Sequence, residues 1–120
     1  MRIPPVVRIL GMDYQVKITR DLKKDIEQFL SKKEKDKGDE YVGYFASECS
    51  TIFLWEYLPK QVLESTFLHE IFEAIDYQLS LKLKHDDTTR LGTAMYQILT
   101  ENSLFDEEKY YEESRKKKAK

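Results

Sequence analysis

A chain of 120 residues with 41% hydrophobic and 35% charged residues has the make-up of one globular domain with one core. Its formal net charge of −2 gives no general attraction for phosphate backbones, which excludes a nucleic-acid footprint spread over the domain. A single cysteine excludes an intrachain disulfide and a Cys-x-x-Cys metal knuckle, and no apolar run is long enough to span a bilayer.

Met1-Arg2-Ile3-Pro4-Pro5 lacks the apolar core and small-residue cleavage site of a signal peptide, so a cytoplasmic location is expected. Val6 to Leu10 reads as a short strand after a Pro pair that cannot continue a ladder. Gly11-Met12-Asp13 supplies a turn. Tyr14, Val16 and Ile18 then alternate with polar residues, the period of a half-buried strand, and complete a hairpin. From Asp21 the period changes: Leu22, Ile26, Phe29 and Leu30 predict a helix over residues 22–33. A polar, Gly-containing loop follows.

Tyr41 to Ala46 and Thr51 to Trp55 are rich in aromatic and β-branched residues, and Ser47-Glu48-Cys49-Ser50 joins them as a second hairpin. Pro59 marks the break before a long helix from Lys60 to Leu81. His85-Asp86-Asp87-Thr88 reads as the capped start of a third helix, with a core stripe at Leu91, Ala94, Met95, Ile98 and Leu99. The fold class expected is α+β: a small antiparallel sheet of two hairpins packed against three helices. Residues 1–105 form the domain and 106–120 a charged, mobile tail.

The long helix carries the chemistry. Leu63, Phe67, Leu68, Ile71, Phe72, Ala74, Ile75 and Leu79 cover one wide apolar face. His69, Glu73, Asp76 and Ser80 form a stripe opposite, with Glu70 at the border. A histidine and a ligand four residues later point the same way, so both reach one ion; this is why His-Glu-x-x-His on a helix binds zinc. Glu73 takes the place of the second histidine, and a carboxylate is an acceptable zinc ligand. His85, the only other histidine, can return over this face from the next helix, where the N-terminus disfavours its protonated form. The candidate metal set is His69, Glu73 and His85, holding zinc or another divalent ion, with Glu70 as the base that takes a proton from water. Asp76 and Asp86 are candidate acceptors for ligand-histidine N–H groups, and Tyr77 or Tyr96 for oxyanion stabilisation.

Plainer roles compete. His69 and Glu73 also suit an i,i+4 pair on a solvated helix face, and His85 suits a helix cap. Asp86 and Asp87 suit first-turn charges. The tyrosines and Trp55 sit at strand positions that usually serve packing. Cys49 has no basic neighbour in sequence to activate it. The basic run from Arg115 to Lys120 suits a solvated tail.

Thr66-Phe67-Leu68-His69-Glu70-Ile71-Phe72-Glu73-Ala74-Ile75 resembles the active-site helix of minimal zincin-type metallopeptidases. The stretch from Ser65 to Asn102 is similar to short phage and prophage proteins that pair such a helix with a downstream histidine opening a second one. That second helix ends here in Leu99-Thr100-Glu101-Asn102. The strand Thr51 to Trp55 resembles the edge strand on which zincins lay an extended peptide. The resemblance implies metal ligands at His69 and Glu73, a base at Glu70 and a third ligand at His85. It also implies a peptide or protein substrate and, for a phage-encoded protein, the host cytoplasm. The departure at Glu73 weakens a peptidase more than a metal site, because an anionic ligand lowers Lewis acidity. The leading expectation is a zinc-dependent peptidase or amide hydrolase. Its rivals are a non-catalytic phage accessory or interaction domain with a structural or vestigial metal, and a nucleic-acid factor using the basic tail. No membrane or nucleic-acid partner is expected.

Overall fold

The computed structural model describes residues 2–35, 41–102 and 104; the expected tail over 106–120 lies outside them. The fold is α+β, with four strands in one sheet. Strand β1 (Val6–Ile9) turns through Leu10 and Gly11 into β2 (Met12–Thr19). Leu10 and Gly11 both take positive φ, 49° and 85°, as the two-residue turns that match strand twist require. Ile9 pairs directly with Met12. Met12 and Asp13 are therefore ladder residues, not the turn expected of them.

Helix α1 (Leu22–Ile26) starts on Asp21, whose side chain accepts from the Lys24 amide. A 3₁₀ turn, Glu27–Phe29, ends it, and Leu30 is extended with ψ of 141°. Helix α2 (Lys32–Lys35) follows. Ser31 and Glu34 cap each other's backbone N–H groups at 3.2 and 3.1 Å, which restarts the helix. The single helix expected over 22–33 is thus two, broken where Leu30 leaves helical geometry to bury itself in the core.

Strand β3 (Gly43–Ala46) and β4 (Thr51–Trp55) form the second hairpin across a 3₁₀ turn, Ser47–Cys49. The two hairpins join through β2 and β4, which run parallel, giving the order β1-β2-β4-β3. The sheet is mixed, which corrects the antiparallel expectation. It also moves Thr51–Trp55 to the interior and leaves β3 at the edge. The cause lies in β4's own residues. Ile52 and Leu54 join one core cluster and Phe53 the other, so the strand is buried on both faces, as strands between two layers are.

Helix α3 (Lys60–Leu79) covers the first face, where Phe67 and Ala74 meet Ile9, Tyr14, Ile52 and Leu54. Helix α1 covers the second, where Leu22, Ile26 and Leu30 meet Ala46 and Phe53. The Gln78 amide donates to the Ile9 carbonyl at 2.9 Å and the Tyr14 hydroxyl at 2.8 Å, tying the end of α3 to the first hairpin. Helix α4 (His85–Glu101) packs on α3. Its buried residues are Thr88 and Gly92, whereas Leu91 and Ile98 are exposed and so is Ala94. The apolar stripe expected to be core is partly outward. Small residues set the contact instead: a Cβ at Gly92 would lie 3.0 Å from His69 Cα. No described helix is long and apolar enough to cross a membrane.

Candidate metal centre

The turn between α3 and α4 decides what can meet. Ser80 and Lys82 take left-handed backbone, and the Asp76 side chain accepts from the Leu83 amide at 3.1 Å. Asp76 therefore pins the turn, a different role from the histidine acceptor expected of it. The return places His85, the first residue of α4, over the middle of α3.

There the candidate ligands converge. His69 Nε2 lies 3.4 Å from Glu73 Oε1, and His85 Nδ1 lies 3.6 Å from the same oxygen. The two imidazole rings stand edge to face with centroids 4.9 Å apart. One ligand atom from each of His69, Glu73 and His85 falls within 4.8 Å of the others. His69 is 14% exposed and Glu73 29%, so they are not a pair on a solvated face. Helix α4 covers the side of α3 that hydropathy alone assigns to water.

Glu70 is buried, not at the border of the apolar face. Its Oε1 lies 3.8 Å from His69 Nε2. Burial, followed by the neighbouring Glu73 charge, pushes its carboxyl up to about 8, since desolvation penalises the ionised form. Glu73 moves the other way: the hydrogen bond from His69 lowers it most, against the cost of burial, and both histidines and Thr88 assist. Two carboxyls three residues apart are thus driven toward different protonation states, the pattern expected of an acid–base group beside a ligand.

The edge strand closes over this pair. A Cβ on Gly43 would meet Thr66 Cγ2 at 2.6 Å and Glu70 Oε1 at 3.3 Å, so only glycine lets β3 approach so closely. Between β3 and α4 runs a cleft of about 500 Å³ whose walls include Tyr41, Gly43, Thr66, His69, Glu70 and Thr89. His85 also lines it.

Other expected participants lie elsewhere. Asp86 is exposed on the first turn of α4. Tyr77 is 62% exposed and packs its ring on Phe45, and Tyr96 hydrogen-bonds Glu64. Neither tyrosine lines the cleft; Tyr41 does. Sequence reasoning passed over Gly43, Thr88, Thr89 and Gly92. The isolated glycine inside a helical pattern was the one available signal, since such a residue usually has a packing reason. Comparison with protein-family models, with curated proteins and with solved structures finds no match.

Proposed function

We propose that the protein is a metal-dependent hydrolase of zincin type, acting on peptide or amide bonds. His69, Glu73 and His85 would hold zinc or a similar divalent cation, with Glu70 as the general base. The observation that carries this reading is the convergence of three ligand atoms from two helices beside a buried carboxyl. The donor set fits such an ion. Ligands at about 2.0–2.1 Å around a tetrahedron stand roughly 3.3 Å apart, close to the 3.4 and 3.6 Å measured from Glu73 Oε1.

A bound cation would polarise a substrate carbonyl and acidify a water molecule. The rest falls to the chain. Glu70, beside His69, would be held ionised by the neighbouring cation, and in that form takes the proton from the attacking water and delivers it to the leaving nitrogen. Its burial keeps bulk water from that proton. Strand β3 has β4 on one side only among the described strands, so its outer edge can align an extended peptide by main-chain hydrogen bonds. Gly43 brings that edge against Glu70. The resemblance to short phage and prophage proteins supports the same reading and a host-cytoplasm setting.

A second reading, a phage accessory domain with a structural or vestigial metal, is favoured by the anionic ligand Glu73, which lowers Lewis acidity. Metal analysis and hydrolysis together separate them. The hydrolase reading expects one metal per chain, lost in His69→Ala. It also expects cleavage of members of a peptide and amide panel, reduced at least about a hundredfold in Glu70→Gln. Metal content indifferent to His69→Ala defeats the site; metal retained with equal turnover in wild type and Glu70→Gln leaves the structural reading.

A further inference from the structure

Thr89 stands one turn after His85 on α4. Its Oγ1 lies 3.4 Å from His69 Nδ1 and donates to the His85 carbonyl oxygen at 3.1 Å. We infer that Thr89 is a positioning residue of the metal centre, its hydroxyl holding the His69 ring in whichever tautomer the metal-free or metal-holding state requires. This inference rests on the metal-binding reading above.

Without a cation, Nε2 is the ring nitrogen of His69 that faces the Glu73 carboxylate, 3.4 Å from Oε1, and a proton there would be shared with that oxygen. A neutral ring in that state carries its proton on Nε2 and presents a bare lone pair at Nδ1. To give the Nε2 lone pair to a cation, the same ring must carry its proton on Nδ1. The ring is only 14% exposed, and a mostly buried N–H left without an acceptor is costly.

A hydroxyl is both donor and acceptor, and this one is placed for both tasks. Against a bare Nδ1 it turns its O–H toward the ring. Against Nδ1–H it accepts, and sends its own proton to the His85 carbonyl. A carboxylate or carbonyl at this position could serve only the second state, and a methyl group neither. The acceptor carbonyl belongs to His85 itself, so one hydroxyl links the ring of the first ligand to the backbone of the third. Gly92 keeps the spacing by letting α4 rest on the His69 backbone.

The experiment is calorimetric titration with Zn²⁺ of the full chain as wild type, Thr89→Val, Thr89→Ala and Thr89→Ser. Thr100→Val, which removes a hydroxyl bonded to the Tyr96 carbonyl farther along α4, serves as the control. Both variants lacking the hydroxyl should bind about 10- to 100-fold more weakly, as lost orienting partners of metal ligands do, while Thr89→Ser and Thr100→Val stay close to wild type. Ring ¹⁵N spectra of the zinc-loaded wild type should show His69 protonated at Nδ1. Wild type binding zinc with Thr89→Ala equally tight overturns the inference and leaves the metal site standing. Thr89→Ser as weak as Thr89→Ala overturns it too, because the hydroxyl is then not the cause. Wild type binding no zinc removes the metal reading and this inference together. Using both valine and alanine keeps the comparison open if the β-branched variant fails to fold.

Discussion

His85 Nδ1 sits 3.6 Å from Glu73 Oε1, joining the first residue of α4 to a residue in the body of α3. The contact exists because Asp76 pins the intervening turn and Gly92 lets the helices close. The His85 side chain is nevertheless 77% exposed, so it adds little to the core. His85→Ala should leave stability within about 0.5 kcal/mol, as exposed substitutions do. Zinc affinity should fall more than tenfold, which is about 1.4 kcal/mol. Denaturant unfolding of the metal-free protein and zinc titration read the two separately; unchanged affinity would remove His85 from the ligand set.

Glu70 makes the metal-free protein sensitive to pH. Its folded carboxyl is raised to about 8 from an ordinary value of 4.5, so between those values the folded state keeps a proton that the unfolded chain has released. Stability is then greatest below pH 4.5 as far as this group is concerned, and declines as pH rises toward 8. The loss is on the order of a few kcal/mol. Glu70→Gln, which cannot ionise, should flatten that decline and be the more stable protein at pH 8. Unfolding of chelator-treated samples at pH 5 and pH 8 tests this; parallel slopes in the two proteins would show that Glu70 ionises normally.

Gly43→Ala should destabilise by about 1–3 kcal/mol, the usual cost of overpacking. The new Cβ would stand 2.6 Å from Thr66 Cγ2. Thr66→Ser removes that methyl group, so the double variant should recover most of the loss. Additive effects of the two changes would mean that the strand does not press on this helix.

Leu10 pays for the first hairpin with a left-handed backbone at φ 49° and a side chain 59% exposed. Leu10→Asn creates the Asn-Gly pair that such turns prefer. It should stabilise by about 0.5–1 kcal/mol, a rise of a few degrees in Tm for a chain of this size. A lower Tm would show that the leucine side chain contributes packing that outweighs the strain.

The i,i+4 relation of His69 and Glu73 was legible because it depends only on helical geometry, and the return of His85 because it opens the next helix. The bounds of β4 and the second hairpin followed from aromatic and β-branched runs, whereas β2 starts two residues earlier than its alternation marks, at Met12, and β3 two residues later than its aromatic run, at Gly43. What could not be read was which elements become neighbours. The apolar face of α3 marks the side against the sheet, but α4 covers a second side using Thr88 and Gly92, residues that a hydropathy pattern does not count. His69 and Glu73 are covered for that reason, and Glu70 is buried where glycine at 43 allows the edge strand in. Likewise the unbroken apolar run Ile52-Phe53-Leu54 is a local sign that β4 is buried on both faces, while its parallel pairing with β2 is specified by no local pattern.

Helix α4 rests chiefly on α3, and much of its apolar surface faces outward at Leu91 and Ile98. Such an element is a natural candidate for local unfolding, its amides exchanging with solvent more readily than those of the sheet. A cation shared between His85 on this helix and His69 and Glu73 on its neighbour would act as a clasp. Its binding free energy would then appear as slower hydrogen exchange along α4, rising with ion concentration as mass action demands.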